Sequence, residues 1–150
     1  REELIFVNAV NLDQPIKVNN VAYSNNDGKL IVYNAESDKM DGINFSLNNY
    51  NICDYSSSNG STYIAMVGDG MFAYGDSIYN PIFDKSLLIV RVEKGSVKGI
   101  FEQNATDILE KTVNLESNQK GSLIVGYSIR HLGSTNTVDH NIEIKNYNSN

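Results

Sequence analysis

The sequence predicts an all-β domain of antiparallel strands joined by tight turns. Four Asp-Gly or Asn-Gly dipeptides interrupt strand-like sequence, at residues 27–28, 41–42, 59–60 and 69–70. Such dipeptides supply the positive φ angles of two-residue hairpin turns at little steric cost. One short segment, 106–111, has a capping Thr and an early Asp typical of a helix start. We therefore expect a single antiparallel β-sandwich, jelly-roll-like, with at most one short helix near 106–111.

Two other all-β architectures remain as alternatives. A closed β-barrel would accommodate the same number of short strands. A β-trefoil is suggested by the recurrence of Leu-Ile-Val at 30–32, 88–90 and 123–125, but the spacings between these copies are unequal. The sandwich is therefore the preferred prediction.

Length and composition indicate one globular domain spanning residues 1–150. The hydrophobic fraction of 41% is sufficient for a packed core. Cys53 is the only cysteine, so no intrachain disulfide can form. The net charge of −6 and the lack of Lys/Arg clusters argue against nucleic acid and anionic membrane surfaces as partners. No apolar run approaches the roughly 20 residues of a membrane helix, so no membrane insertion is expected.

In the first part of the chain, short apolar segments alternate with turn signals. Alternation of apolar and polar residues is clearest at 42–47, where Ile43, Phe45 and Leu47 share one side. Strands are expected at 4–10, 15–23, 29–34 and 42–47. The polar stretch 48–60 is either a long loop or an irregular edge strand, and it ends in a turn at 56–60.

The second part of the chain contains the clearest strands. Segments 61–67 and 71–74 flank the fourth of these turns, Asp69-Gly70, as a predicted hairpin, and Pro81 confines 77–83 to an edge or a strand end. Segment 86–101 predicts a hairpin that turns at 93–96. The strands predicted at 122–130 and 137–145 each place alternate apolar residues on one face, namely Leu123, Val125, Tyr127 and Ile129, and Val138, His140, Ile142 and Ile144.

No residue pattern indicates catalysis, a cofactor or a metal. Cys53 could pair with His131 or His140 as nucleophile and base, but no local signature surrounds Cys53, and His140 is expected to be a packed core histidine. Asp69, Asp76 and Asp84 bracket a glycine-rich segment where Ca²⁺ could bind, yet the Asp-x-Asp-x-Asp-Gly loop is absent. We therefore expect no catalytic residue, no cofactor and no metal, with Asp69 acting as a turn residue.

The candidate binding residues lie in segments rich in Gly, Ser, Asn and Pro, which usually run over protein surfaces. They are Tyr50, Tyr55, Tyr74, Tyr79, Asn51 and Asp54. An exposed Tyr offers a rigid amphipathic face that stacks on a sugar ring or packs against a protein. Amide and carboxylate groups beside it can pair with hydroxyls.

Together these observations favour a non-enzymatic binding or assembly module that recognises a glycan or a protein partner, with a homo-oligomer left open. We expect a bacterial or viral surface or secreted protein, located outside the cell, with any targeting segment upstream of Arg1. The alternative is a small hydrolase or toxin-like effector on the same scaffold. A deep pocket with converging carboxylates would favour the enzyme, whereas flat surfaces and a paired edge strand would favour the binding module.

Overall fold

A computed structural model of the chain describes residues 2–5, 16–18, 21–23, 29–34, 39–44, 49–58, 61–74, 76–93, 96–117, 122–130 and 136–144. These residues form β-strands and a single 3₁₀ turn at Glu110–Thr112, and none of them lies in an α-helix. Every strand pair is antiparallel. The prediction of an all-β antiparallel protein is therefore confirmed.

The strands, in chain order, are β1 (Glu2–Ile5), β2 (Ile16–Val18), β3 (Val21–Tyr23), β4 (Lys29–Asn34), β5 (Lys39–Asn44), β6 (Tyr50–Ser58), β7 (Ser61–Gly68), β8 (Phe72–Tyr74), β9 (Ser77–Tyr79), β10 (Ser86–Glu93), β11 (Ser96–Asn104), β12 (Asn114–Ser117), β13 (Leu123–Ile129) and β14 (Val138–Ile144). They form a four-stranded sheet in the order β11-β10-β7-β6 and two three-stranded sheets, β12-β13-β14 and β1-β4-β5. Two-stranded hairpins β2-β3 and β8-β9 complete the described strands. These sheets are open, so the closed-barrel alternative is wrong for the part of the chain described.

Most predicted strands occur where they were expected. The predicted hairpin at 86–101 is β10 with β11, and Glu93 pairs with Ser96 across its turn. Segment 15–23, predicted as one strand, is instead the hairpin β2-β3. Strand β12 was not predicted, because its four residues are too few to show an alternating pattern. Parts of the predicted segments 4–10 and 42–47 lie outside the described residues.

The Asp-Gly and Asn-Gly signals are only partly confirmed as hairpin turns. Ser58 pairs with Ser61, so a two-residue connection joins β6 to β7 as predicted. Asp41-Gly42 lies inside β5 instead, where Asp41 pairs with Val32 of β4. The dipeptide at 27–28 lies outside the described residues. A turn dipeptide is a local preference, and pairing along a neighbouring strand overrides it.

Asp69-Gly70 turns the chain but does not form the predicted hairpin. Gly70 has a φ of 78°, in the left-handed region that the dipeptide favours. However, β7 pairs with β6 and β10, while β8 pairs with β9. The chain therefore leaves the four-stranded sheet at Gly70, forms the β8-β9 hairpin, and returns as β10.

The predicted helix at 106–111 reduces to the 3₁₀ turn Glu110–Thr112. Asn104 Oδ1 accepts hydrogen bonds from the backbone nitrogen of Thr106 (3.1 Å) and from its hydroxyl (2.7 Å). Ile108 then forms an isolated antiparallel bridge with Ile129. A segment this short gains too little from helical hydrogen bonds to nucleate a helix, and pairing with β13 holds it extended instead.

The core occupies both faces of the four-stranded sheet. Because successive side chains of a strand point to opposite faces, β7 and β10 divide their apolar residues between two clusters. The first cluster contains Tyr50, Ile64, Met66, Phe72, Leu88, Val90 and Val92, and the second contains Tyr63, Ala65, Val67, Leu87, Ile89, Ala105, Ile108, Val113, Leu115, Leu123, Val125 and Tyr127. The β8-β9 hairpin covers the first face, called here the hairpin-covered face. Sheet β12-β13-β14 covers the second, the sheet-covered face.

Within the polar stretch 48–60, residues Tyr50–Ser58 form an irregular edge strand, which is one of the two forms predicted for the stretch. In β6 the pairing register shifts between Ile52 and Asp54, so Cys53 sits at a bulge. Ile52 packs on the hairpin-covered face and Cys53 on the sheet-covered face. The bulge thus changes which face each subsequent side chain reaches.

Candidate binding cleft

Tyr50, which the sequence placed on an exposed loop, is a core residue with only 2% of its surface exposed. Its hydroxyl donates a hydrogen bond to the carbonyl oxygen of Gly70 at 2.7 Å, and its ring meets Phe72 edge-to-face at 5.7 Å. The expected exposure is wrong because β6 pairs with β7 along its length, which turns alternate β6 residues toward the core.

Tyr74 and Tyr79 are half-buried against the hairpin-covered face. The ring of Tyr74 stacks on Phe72 with centroids 5.6 Å apart. The hydroxyl of Tyr79 donates to Glu102 Oε1 at 2.8 Å. Burial, and then the hydrogen bond and negative charge of Glu102, raise the pKa of Tyr79 to about 12. Both side chains therefore attach the hairpin to the sheet.

Asn51, Asp54 and Tyr55 lie on the edge strand β6. Asp54 is half-buried, with Oδ1 accepting from the backbone nitrogen of Tyr55 (2.8 Å) and Oδ2 from that of Leu115 (2.7 Å). It thereby links the edges of two sheets. Asn51 is exposed and donates to Glu110 at 3.4 Å, and Tyr55 is 46% exposed. The six predicted binding residues thus divide between two regions, and ligand binding by them stays a prediction.

A cleft of about 210 Å³ lies at the end of β11, beside β13 and β14. It is lined by Gln103, Asn104, Thr106, Asp107, Ile108, Tyr127, Ile129 and His140. Ile108 and Ile129 belong to the apolar cluster of the sheet-covered face and form the floor. Apart from Tyr127 and His140, the other lining residues are Gln103, Asn104, Thr106 and Asp107, which are polar and form the rim.

Backbone pairing fixes the shape of this cleft. The backbone nitrogen of Leu109 donates to Ser128 O, and that of Arg130 donates to Asp107 O, both at 2.9 Å. Residues 107–109 therefore run along one side of β13 while β14 pairs with its other side. Ala105 is fully buried and its nitrogen donates to Lys85 O at 2.8 Å, which anchors the chain between β11 and this segment.

Two aromatic rings form one wall of the cleft. Tyr127 and His140 are directly opposite each other in the β13-β14 register, and their rings stack with centroids 5.8 Å apart at an angle of 17°. Tyr127 is buried, which raises the pKa of its phenol, whereas His140 is exposed. The expectation that His140 is a core histidine is therefore wrong: the half of edge strand β14 that carries it is exposed, as Val138 also is.

The polar rim offers both donors and acceptors. Asn104 uses its oxygen for Thr106, so its amide nitrogen remains as a donor. Asp107 contributes the single carboxylate among the lining residues, and Gln103 contributes a second amide. The hydroxyl of Thr106 donates to the amide oxygen of Asn104, so this hydrogen bond does not place it against a base that could activate it as a nucleophile. This arrangement suits hydrogen bonding to a neutral, polar ligand.

Cys53, the one potential cysteine nucleophile of the chain, lies in an environment that disfavours its thiolate. Burial, followed by the negative charge of Glu110, raises the pKa of the thiol to about 11. Its Sγ donates to Asn51 O at 3.6 Å. A thiol with this pKa is protonated at neutral pH and is a poor nucleophile. Its proposed partner His131 lies outside the described residues.

Among the described residues, no group of three or more His, Cys, Asp or Glu side chains is placed to hold a metal ion. The residues of the calcium alternative, Asp69, Asp76 and Asp84, are all exposed. No helix in the described part of the chain is long and apolar enough to span a bilayer. The calcium alternative therefore gains no support from the arrangement of these side chains.

Sequence reasoning missed the cleft because its residues were assigned to other roles. In the polar run 102–107 only Thr106 and Asp107 received a role, as the start of the helix predicted at 106–111, and His140 was assigned to an apolar face. A usable signal was the dense amide, hydroxyl and carboxylate content of that run between two apolar strands. Comparisons with protein families, with curated proteins and with solved structures gave no match.

Proposed function

We propose that this protein is a non-enzymatic binding module whose cleft takes one terminal sugar residue of a glycan. The observation that carries this proposal is the pairing of an exposed stacked ring, His140, with a rim of amides and one carboxylate. A sugar has an apolar C–H face and a set of hydroxyls, and each has a matching surface here. The cleft is smaller than the roughly 300–1,000 Å³ of pockets for drug-sized ligands, which suits a single ring.

The charge of the cleft supports a neutral ligand. Among the described residues that line it, Asp107 is the single carboxylate and there is no Lys or Arg. A phosphate or sulfate group would lack a cationic partner there and would be repelled by Asp107. A hydroxyl can instead donate to the carboxylate and accept from the amides of Gln103 and Asn104.

The same residues argue against hydrolysis at this cleft. Glycoside hydrolysis usually requires two carboxyl groups about 5 to 10 Å apart, one acting as acid and the other as base or nucleophile. The cleft has one carboxyl group among its lining residues. The hydrolase alternative would need a second acidic group that the lining does not provide.

The finer architecture and the setting form part of the same proposal. We infer a single-domain β-sandwich of jelly-roll type, supported by the apolar cluster that the four-stranded sheet shares with β12-β13-β14. A glycan-binding role agrees with the surface or secreted location expected from the sequence. Because one small cleft binds weakly, self-association into a homo-oligomer would strengthen attachment through multivalency.

The test is glycan-array binding followed by titration of the best glycan against matched variants. We expect His140→Ala and Asp107→Asn each to weaken binding about tenfold or more, which corresponds to about 1.4 kcal/mol. Their melting temperatures should stay near that of the parent because both side chains are exposed.

Asn141→Ala is the control for His140→Ala, since Asn141 is the next residue of β14 and points to the opposite face. Tyr55→Ala tests the surface predicted from sequence. If Tyr55→Ala abolished binding while His140→Ala did not, the site would lie on β6 and not in the cleft. Release of free sugar, detected by mass spectrometry, would instead favour the hydrolase.

A further inference from the structure

The outer side of the β8-β9 hairpin and of the segment that follows it exposes large apolar side chains. Met71, Ile78 and Ile82 are 61%, 59% and 83% exposed. Single exposed apolar residues are ordinary on a protein surface, but three within the stretch 71–82 are a candidate interaction site. The three are called here the hairpin patch.

Strand alternation places Met71 and Ile78 on the same side. In the hairpin, Phe72 pairs with Tyr79, and both pack inward on the four-stranded sheet. Ile78 is the neighbour of Tyr79 in β9, and Met71 precedes Phe72. Both therefore point away from the core, in agreement with their exposure.

Glu102 holds Ile82 beside the hairpin. Its Oε1 accepts from the Tyr79 hydroxyl at 2.8 Å, and its Oε2 accepts from the Ile82 nitrogen at 3.0 Å. Phe83 and Ser86 donate to the same Oε2, at 3.2 and 2.7 Å. One carboxylate thus binds the backbone that follows Pro81 and the side chain of Tyr79 that precedes it. A patch held in this way loses little conformational entropy when a partner binds.

Three acidic residues lie next to or between the patch residues in the chain and are called here its charged rim. Asp69, Asp76 and Asp84 are exposed, and the segment 69–84 contains no Lys or Arg. A second copy of this chain would bring like charges together, which is unfavourable across an interface. An anionic membrane surface would be repelled for the same reason. A cationic partner would gain from both the apolar centre and the charged rim.

We propose that the hairpin patch docks a basic, amphipathic peptide segment of another protein, in which apolar residues contact Met71, Ile78 and Ile82 while Lys or Arg side chains pair with the three aspartates. This surface is on the hairpin-covered side of the four-stranded sheet, and the cleft is on the other side. The two sites can therefore be occupied together, and the proposal does not depend on glycan binding.

The test uses the whole protein and three fluorescent synthetic peptides of equal length. One alternates Leu with Lys, one alternates Leu with Glu, and one alternates Ser with Lys. We expect the Leu–Lys peptide to bind at least tenfold more tightly than the other two in fluorescence anisotropy. Its affinity should fall as salt is raised, because the aspartate pairs are exposed to solvent.

Variants of exposed residues separate the patch from general attraction to an acidic protein. Ile78→Ser and Ile82→Ser should each weaken Leu–Lys binding at least fivefold, and Asp76→Asn with Asp84→Asn should flatten its salt dependence. Ile124→Ser is the control, because Ile124 is an exposed apolar residue of β13, outside the patch. The proposal would be overturned if Ile78→Ser and Ile124→Ser weakened binding equally, or if the Ser–Lys peptide bound as tightly as the Leu–Lys peptide. It would also be overturned if analytical ultracentrifugation showed a dimer that Ile78→Ser abolishes. Melting temperatures within a few degrees of the parent confirm that each variant is folded.

Discussion

The two faces of the four-stranded sheet are covered in different ways. On the sheet-covered face, β12-β13-β14 packs with Leu123 and Val125 fully or almost fully buried. On the hairpin-covered face, two three-residue strands carry Phe72 into the core and are held by hydrogen bonds to Gly70 and Glu102. A two-stranded hairpin is marginally stable alone. The sheet β12-β13-β14 is therefore held mainly by buried apolar area, and the β8-β9 hairpin mainly by a few hydrogen bonds and ring contacts. Single substitutions and acid should affect the hairpin side differently from the sheet side.

The largest expected effect is that of Gly68→Ala, at the end of β7. A Cβ atom there would lie 1.9 Å from the backbone oxygen of Asn49 and 2.6 Å from Cδ1 of Tyr50. Because the closest atom belongs to the backbone, the strand β6 would have to move. We expect a loss of more than about 3 kcal/mol in the free energy of unfolding, measured by urea denaturation.

Gly126→Ala in β13 is its matched control. A Cβ there would meet Asn114 Oδ1 at 2.8 Å and Asn141 Oδ1 at 2.9 Å, both at the ends of flexible side chains. These can rotate away, so the cost should be below about 1 kcal/mol. Similar costs for the two glycines would show that the β6-β7 contact is looser than the structure indicates.

The second prediction compares Leu87→Ala with Leu88→Ala. These neighbours are fully buried on opposite faces of β10. Each substitution should cost about 2 to 5 kcal/mol through lost burial and a cavity. Leu87→Ala should be the more costly by about 1 kcal/mol, since a hairpin can collapse into a cavity more readily than a three-stranded sheet. Urea denaturation gives both values.

Hydrogen exchange tests the assignment of faces in the same two variants. Leu88→Ala should speed exchange in β8 and β9, and Leu87→Ala should speed it in β12 and β13. Glu143→Gln, on the exposed outer face of β14, should cost less than about 0.5 kcal/mol. The reverse exchange pattern would mean that the two faces are assigned incorrectly.

The third prediction concerns acid and Glu102. Burial favours the protonated carboxyl, but hydrogen bonds from Ser86, Tyr79, Phe83 and Ile82 outweigh it and hold the pKa of Glu102 below its ordinary value of 4.5. The unfolded chain therefore takes up this proton at a higher pH than the folded protein does. The resulting stabilisation is present above about pH 4.5 and is lost as pH falls through the folded pKa.

Glu102→Gln should remove part of this pH dependence. At pH 7 it should lower the free energy of unfolding by about 1 to 3 kcal/mol, because several donors lose a charged acceptor. Between about pH 5 and pH 3 its stability should fall less steeply than that of the parent in urea titrations. Glu116→Gln, at an exposed position in β12, should leave the slope unchanged. If the free energy of unfolding fell equally with pH for the parent and for Glu102→Gln, Glu102 would not be the group that makes the protein sensitive to acid.

The smallest expected effect is at Cys53, on the sheet-covered face. With the pKa of the thiol raised to about 11, its reaction with a disulfide reagent at pH 8 should be slower than that of a free cysteine by on the order of 100-fold. Cys53→Ser should change stability by about 1 kcal/mol or less and leave glycan binding intact. Rapid labelling of the folded protein would show that the bulge in β6 opens to solvent.

The local features of the fold followed from the sequence. Alternation placed Leu123 and Val125 on one buried face, and the turn at 93–96 joined β10 to β11 as predicted. The edge strand at 50–58 was one of the two forms that the sequence left open for 48–60. These features could be predicted because strand alternation and tight turns depend on residues that are adjacent in the chain.

Only the tertiary structure decided which faces are covered and where a cleft opens. Tyr50 is buried because Phe72 arrives over it, and His140 is exposed because its half of β14 lacks a cover. β7 pairs with β10 although the β8-β9 hairpin lies between them in the chain. The cleft likewise brings residues 103–108 next to the distant His140. Burial is a property of the surface that packs against a strand, and that surface comes from distant parts of the chain. The sequence by itself therefore determined most of the strands and some of the turns, while the partner of each face, and with it the candidate site, was determined by long-range packing.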